Sequence, residues 1–345
     1  MSSNKRATIK HVAKAAGVST QTVSRVINDR PDVSPETRER IQQIIEDLDY
    51  QPSALARSLI QQRSFTLGVV TSGLKDYIGP SRTLNGITSK AEELSYALLL
   101  EELPHFDTEN IKPLLQNLIS HHVDGIVWAV PEVGDNRRWV DEILKDVPVP
   151  VVFLTMQPRA GVTTVCVDNY SGGVLATQHL LAQGYRKIGH IAGPIDWWEA
   201  RQRKQAWQDT MAKAGFKVGD RQCAEGDWTC PSGEAAINKL LESYPEMDAV
   251  FAANDQMALA VLQTANRRGM NIPGALAVVG FDNITESPYF WPALTTINQD
   301  QYELGCRAIQ ELANQIGAVQ QNGQIEPLNI LLSTELIVRD SSVKP

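Results

Sequence analysis

Residues 8–28 read TIKHVAKAAGVSTQTVSRVIN, and their spacing decides the fold of the amino-terminal part of the chain. Ile9, Val12, Ala13 and Ala16 fall at i, i+3, i+4 and i+7, the apolar stripe of a short helix, with Thr8 placed to cap it. Gly17 ends that helix and supplies a tight turn. Ser19 is a natural N-cap for a second helix that turns Val23, Val26 and Ile27 inward. Beyond a loop at 29–33, Ser34-Pro35 joins an N-cap to proline at the first helical position. The third helix that follows carries Ile41, Ile44, Ile45 and Leu48 on its buried side. Residues 8–50 therefore read as three helices, the first two joined by a glycine turn, as in a helix-turn-helix whose second helix enters the DNA major groove.

The apolar side chains of the second helix leave Thr20, Gln21 and Arg25 on its exposed face. Gln pairs with adenine N6/N7 and Arg with guanine O6/N7, each contact being worth about 1–3 kcal/mol of discrimination. Thr22, Ser24 and Asn28 suit phosphate or sugar contacts that set position, and the caps Thr8 and Ser19 join this DNA-facing set. The charge distribution agrees. Residues 1–30 carry six basic side chains against the single acid Asp29, although the whole chain has a net charge of −8. A basic head on an acidic body is expected where only the head meets nucleic acid.

The segment from Thr8 to Leu59, TIKHVAKAAGVSTQTVSRVINDRPDVSPETRERIQQIIEDLDYQPSALARSL, strongly resembles the head of the lactose/galactose repressor family. The resemblance implies that the second helix reads an operator, with Thr20 and Gln21 selecting the half-site and Arg25 one turn later. It also implies that residues 51–63 are a hinge helix ordered only on DNA. There Leu59, flanked by Leu55 and Ala56, wedges into the minor groove and kinks the duplex. By itself that segment is about two turns long, too short to be a stable helix alone.

From residue 66 short β-rich runs alternate with helical stretches. TLGVVT (66–71), ALLLE (97–101), DGIVWA (124–129) and PVVFL (150–154) form one series; KIGHIA (187–192), DAVFAA (248–253) and LAVVGF (276–281) form a second. Intervening helices are expected at 82–95, 108–121, 169–183, 231–243 and 255–268. This alternation predicts parallel sheets in two lobes, with a ligand cleft outside the carboxyl ends of the strands. The fold class is thus an all-α head on an α/β two-lobed body. Motifs such as HIAGP (190–194), ANDQMALAVL (253–262) and VVGFDN (278–283) extend the family resemblance over essentially the whole chain, and the body resembles periplasmic sugar-binding proteins. That resemblance implies three lobe crossings, near residues 164, 294 and 328. The expected domains are a head at 1–50, a hinge at 51–63 and a body at 64–345. Its N-lobe would take 64–164 and 295–328, and its C-lobe 165–294 and 329–340.

The same motifs imply an effector site. Arg203 would clamp adjacent hydroxyls through its fork of donors, Asp282 would accept from the opposite side, Asn254 or Asp255 would open a neighbouring helix, and Trp228 would pack on the ligand. Where family members often have glycine three residues after the Arg203 position, this chain has Ala206. The loop 72–82 (SGLKDYIGPSR) departs from the family pattern, so roles for Asp76, Tyr77 and Arg82 rest on position alone. Trp128, Trp197, Trp198 and Trp291 lie at expected strand ends or loops facing the cleft, and seven tryptophans favour a sugar or glycoside over a purine. Asp168-Asn169 reads as a helix N-cap beside a lobe crossing.

Other chemistries find little support. His121-His122 lacks companions at metal spacing, no GxSxG, HExxH or P-loop pattern occurs, and neither cofactor nor metal is expected. Cys166, Cys223, Cys230 and Cys306 show no CxxC spacing and are expected as reduced thiols. The first thirty residues lack an apolar signal core, which places the chain in the cytoplasm. No leucine-heptad tail follows the last strand. A homodimer on palindromic double-stranded operator DNA, controlled by a small effector acting as inducer or corepressor, is therefore the leading reading. A sugar-binding protein, a sugar-processing enzyme on the same scaffold, and a regulator using a purine-type effector are the alternatives.

Overall fold

The computed structural model describes residues 7–27, 30–50, 63–75, 77–106 and 111–344. The expectations on Asn28, on Leu55, Ala56 and Leu59, and on Asp76 lie outside the described residues. The chain divides into two compact units, Met1–Phe65 and Thr66–Pro345.

In the first unit, α1 (Ile9–Ala16), α2 (Thr20–Ile27) and α3 (Pro35–Asp47) form where the apolar spacing places them. Gly17 takes a left-handed conformation (φ 66°), and its N–H closes α1 on the carbonyls of Ala13 and Lys14. Ser19 Oγ accepts the Thr22 N–H at 3.1 Å, and Ser34 Oγ accepts that of Thr37 at 3.4 Å. Val12, Val23 and Ile41 are fully buried and share a core with Ala13, Ala16, Val26 and Tyr50. Leu48 corrects the expectation for α3: it is exposed. The helix ends at Asp47, so Leu48 leaves the helical path as the C-cap and Tyr50 closes the core instead.

The second unit holds two sheets. The first lobe runs through β1 (Thr66–Thr71), α4 (Ile78–Glu93), β2 (Ala97–Glu102), α5 (Ile111–Ser120), β3 (Gly125–Ala129), α6 (Arg138–Ile143), β4 (Val151–Leu154) and β5 (Thr163–Val167). The second contains α7 (Asn169–Ala182), β6 (Ile188–Ala192), α8 (Trp198–Lys213), β7 (Cys223–Glu225), α9 (Cys230–Ser243), β8 (Ala249–Ala252), α10 (Asp255–Arg267), β9 (Ala277–Asp282) and β10 (Thr295–Asn298). The chain then returns to the first lobe for α11 (Gln301–Asn322) and β11 (Asn329–Leu332), and crosses again into β12 (Glu335–Ile337). Strand order is β11-β5-β4-β3-β1-β2 in the first sheet and β12-β10-β9-β8-β6-β7 in the second. All pairings are parallel except β12 against β10. Helices cover both faces of each sheet, so alternate side chains enter separate cores and the strands read as continuous apolar runs. On β3, for example, Ile126 and Trp128 join one cluster and Val127 the other.

Three boundaries move. β5 extends the first lobe to Val167 rather than 164; β10 (295–298) belongs to the second sheet, not the first lobe; and β11 (329–332) belongs to the first sheet, not the second. The crossings therefore fall after Val167, Asn298 and Leu332. These strands of four or five residues lie at the lobe junction, and nothing in so short a run states which of the two sheets it joins.

α4 and α11 pack with unusually close backbones. A Cβ added at Gly86 would stand 1.9 Å from the Tyr302 carbonyl oxygen, and one at Gly305 would stand 2.2 Å from that of Thr83. Only glycine permits this approach, and it fixes the amino-terminal ends of both helices beside one another, where Thr83 Oγ1 donates to Gln301 Oε1 at 2.8 Å.

Candidate functional site

The head presents Thr20, Gln21 and Arg25 exposed on α2, opposite buried Val23 and Val26. Thr8 and Ser19 are exposed, while Thr22 and Ser24 are half-buried at the rim of that face. Ser19 Oγ also meets Thr22 Oγ1 at 2.9 Å. Arg25 Nη1 lies 3.2 Å from Asp32 Oδ2, both half-exposed. A surface pair of this kind is worth at most about 1 kcal/mol.

Between the lobes lies a cleft of about 660 Å³ of empty space, its open part included. Its polar lining comes from Thr83 and Gln301 of the paired helix ends, Gln299 at the second crossing, Glu199 and Arg203 of α8, Asn254 and Gln256 at the start of α10, and Asp282 at the end of β9. Tyr77, Trp197 and Trp228 supply aromatic walls. Tyr77 and Trp228 meet Trp197 edge-on, at interplanar angles of 69° and 73°. A Cβ at Gly193 would fall 2.2 Å from the Trp228 ring, so this glycine lets the indole seat against the backbone. The lobes also touch directly: Val133 bridges to Trp197, Gly134 N–H donates to the Asp196 carbonyl at 2.8 Å, and Trp198 N–H to that of Glu132 at 3.0 Å.

Arg203 is the electrostatic centre. Its Nε donates to Asn169 Oδ1 at 2.8 Å and its Nη1 to the Ala253 carbonyl, with Asp282 Oδ1 3.6 Å from Nη1. Its guanidinium lies 3.7 Å from the centre of the Phe281 ring. Nη2 makes no hydrogen bond to the described residues. Burial lowers the Arg203 pKa, and Asp282 opposes that shift. Burial pushes Asp282 up to about 7 against the pull of Arg203, and pushes Glu199 up to about 7 as well. Asp282 holds a left-handed backbone (φ 113°) and accepts from Gln299 Nε2. Buried Glu199 Oε2 and Trp228 Nε1, both on lining residues, have no partner among the described residues.

The structure thus brings Tyr77, Arg203, Trp228, Asn254 and Asp282 together around one cleft. Asn254 combines two roles: its Oδ1 caps α10 by accepting the Met257 N–H, and its Nδ2 donates to the Trp228 carbonyl. Asp168 caps α7, and Asn169 steadies Arg203 from behind.

Three expected site residues are corrected. Asp255 is fully buried behind the cleft, where it accepts from the Ile284 N–H and the Ser287 and Thr296 hydroxyls. Trp128 is fully buried in the first lobe against Trp139 and Phe153, because it points into a sheet face rather than past the strand end. Trp291 is 87 % exposed and outside the lining. Trp198 and Arg82 do not line the cleft either. Sequence reading missed Thr83, Glu199, Gln256, Gln299 and Gln301. Glu199 had a signal, one helical turn before Arg203 on the same face; Gln299 and Gln301 were hidden by the misplaced crossing. His121 and His122 are exposed, and among the described residues no group of three His, Cys, Asp or Glu side chains is placed to hold a metal.

A helix-turn-helix with a polar reading face and a two-lobed body around a polar cleft together make the arrangement of a ligand-responsive DNA-binding regulator. Residues 8–53 match the model for bacterial regulatory proteins of the lacI family, and residues 177–342 match the periplasmic binding protein-like domain. The HTH-type transcriptional repressor PurR of Photobacterium profundum is 32% identical over 97% of this chain and 98% of its own length. The HTH-type transcriptional regulator CelR of Thermobifida fusca is 33% identical over 99% and 100%. Among solved structures, the Lac repressor dimer bound to operator and the anti-inducer ONPF superposes with a TM-score of 0.84 at 30% identity, covering 99% of this chain and 100% of that one. A CelR–cellobiose complex gives a TM-score of 0.72 at 32% identity, covering 97% and 100%. The chain belongs to the lacI family of bacterial regulatory proteins: it is a DNA-binding transcription regulator with a ligand-binding domain, and its relatives are regulators rather than enzymes.

Proposed function

We propose that this regulator is a repressor that binds a palindromic operator as a homodimer, and that a sugar or glycoside held between its lobes controls operator affinity. The observation that carries the effector class is the cleft lining. One guanidinium, two carboxyl groups and four side-chain amides stand among aromatic walls, which suits a ligand with many hydroxyls and a C–H face. The relatives named PurR raise a purine as the second reading. A purine base carries few polar atoms for so many side-chain donors and acceptors, so the lining supports the sugar. The homodimer follows from the two-fold symmetry of a palindrome. No described helix is long and apolar enough to cross a membrane, and a DNA-binding role fits the cytoplasm.

Thermodynamic linkage sets the mechanism. A ligand that favours one arrangement of the lobes shifts operator affinity by its differential affinity for the two arrangements, and either sign is allowed. The test is a thermal-shift screen of neutral mono- and disaccharides and of purine bases on the full chain, since a ligand of the native state raises its melting temperature. Stabilisation by a sugar, lost in Arg203→Ala, supports the reading; stabilisation by a purine base alone overturns it.

A further inference from the structure

We propose that Glu199 restricts the cleft to uncharged ligands, by accepting a ligand hydroxyl and excluding phosphorylated ones; this rests on the cleft being the effector site. Glu199 stands in the first turn of α8, one turn before Arg203, and both line the cleft. The amino-terminal end of a helix, with its free N–H groups and positive partial charge, is where a phosphate would settle. Here a carboxyl group of the chain already occupies that turn.

Hydrogen bonding agrees with this. Glu199 Oε2 is buried without a partner among the described residues, and a buried acceptor requires a donor. No hydrogen bond joins Arg203 to it: Nε is bonded to Asn169 and Nη1 to the Ala253 carbonyl beside Asp282, and Nη2 does not reach the carboxyl group. A sugar hydroxyl donates and accepts, so it satisfies such an oxygen and can also receive an N–H such as that of Trp228. The phosphate group of a sugar phosphate dianion offers acceptors only, and inorganic phosphate at pH 8 has a single O–H beside its charged oxygens.

The charges agree as well. Glu199, Asp282 and Arg203 are the charged groups of the lining, two acids against one base, and the base is already paired. A phosphate would add negative charge to a lining whose one cation already stands against two acids. Burial pushes Glu199 up to about 7, so the exclusion is fully developed above neutrality.

The experiment uses the full chain at pH 8, with thermal shift and calorimetric titration as readouts. The probes are inorganic phosphate, the neutral sugars of the screen, and the 6-phosphates of those sugars. The wild type is expected to ignore inorganic phosphate and to bind a neutral sugar at least about tenfold more tightly than its 6-phosphate, one lost hydrogen bond to a charged group being enough for that ratio. Glu199→Gln, checked for folding by near-UV circular dichroism, is expected to gain stabilisation by inorganic phosphate and to narrow the ratio. Equal binding of a sugar and its 6-phosphate by the wild type overturns the proposal without any variant. So does stabilisation of the wild type by inorganic phosphate that Glu199→Gln leaves unchanged. Failure of every sugar to bind refutes the sugar reading instead, and the inorganic-phosphate arm still decides the role of Glu199.

Discussion

Replacing Asp255 by alanine separates support of the cleft from contact with the ligand. The carboxylate is fully buried and takes three donors: the Ile284 N–H at 3.0 Å, and the Ser287 and Thr296 hydroxyls. Those groups hold the turn that follows Asp282, whose left-handed backbone needs an outside constraint. Each buried donor left without an acceptor costs about 1–3 kcal/mol. The Ile284 N–H cannot turn away and the two hydroxyls lose their acceptor as well, so with three donors affected Asp255→Ala is expected to lose about 3–5 kcal/mol. Asp255→Asn keeps the shape and an acceptor, and is expected to lose about 1–2 kcal/mol. Burial pushes Asp255 up to about 6, above its ordinary 3.8, so the unfolded chain ionises first as pH rises. Its contribution is therefore complete below about pH 4 and declines as pH passes through about 6, and the loss in Asp255→Ala is larger at pH 5 than at pH 8. Urea unfolding of the full chain at both pH values, followed by tryptophan fluorescence, measures this. A variant as stable as the wild type that has lost only effector binding would refute the reasoning, and would return Asp255 to the ligand.

Other expectations are briefer. Gly86→Ala forces a Cβ against the Tyr302 carbonyl and should cost about 2–3 kcal/mol, with weaker effector binding because Thr83 and Gln301 lose their register; unchanged unfolding and effector titrations would contradict the close packing. Glu199→Gln removes a carboxyl group whose folded pKa of about 7 lies above its ordinary 4.5. The wild type loses stability across that window as pH rises, so the ligand-free variant should be more stable at pH 8 by about 1–3 kcal/mol and nearly equal at pH 4. Denaturation curves at the two pH values decide it. Arg25→Ala should change stability by less than about 1 kcal/mol, since its partner Asp32 is exposed, yet relax operator discrimination by about 1–3 kcal/mol at one base pair. Selection from randomised half-sites reads that change.

The head was legible in detail because its helices are short and amphipathic, with caps at Ser19 and Ser34 and the stop at Gly17 marked by residue type. Leu48 escaped because helical spacing continues on paper for a turn after the helix has ended. In the body the buried strands read clearly as apolar runs, but the three strands at the lobe junction did not. The cleft was half legible. Arg203, Trp228, Asn254 and Asp282 sit within motifs, whereas Gln299 and Gln301 depend on where the chain crosses and on the Gly86–Gly305 contact. Asp255 and Trp128 show the limit of position along the chain: each adjoins a site element, and each side chain points into the core.

Occupation of the cleft is proposed to govern the head. Fluorescence anisotropy with a selected palindromic DNA, at fixed salt because phosphate contacts are screened, tests it most directly. Addition of the sugar that stabilises the full chain should shift the operator Kd, and Arg203→Ala should bind the same DNA without responding. A sugar that saturates the cleft in calorimetry while leaving the operator Kd unchanged would contradict the account.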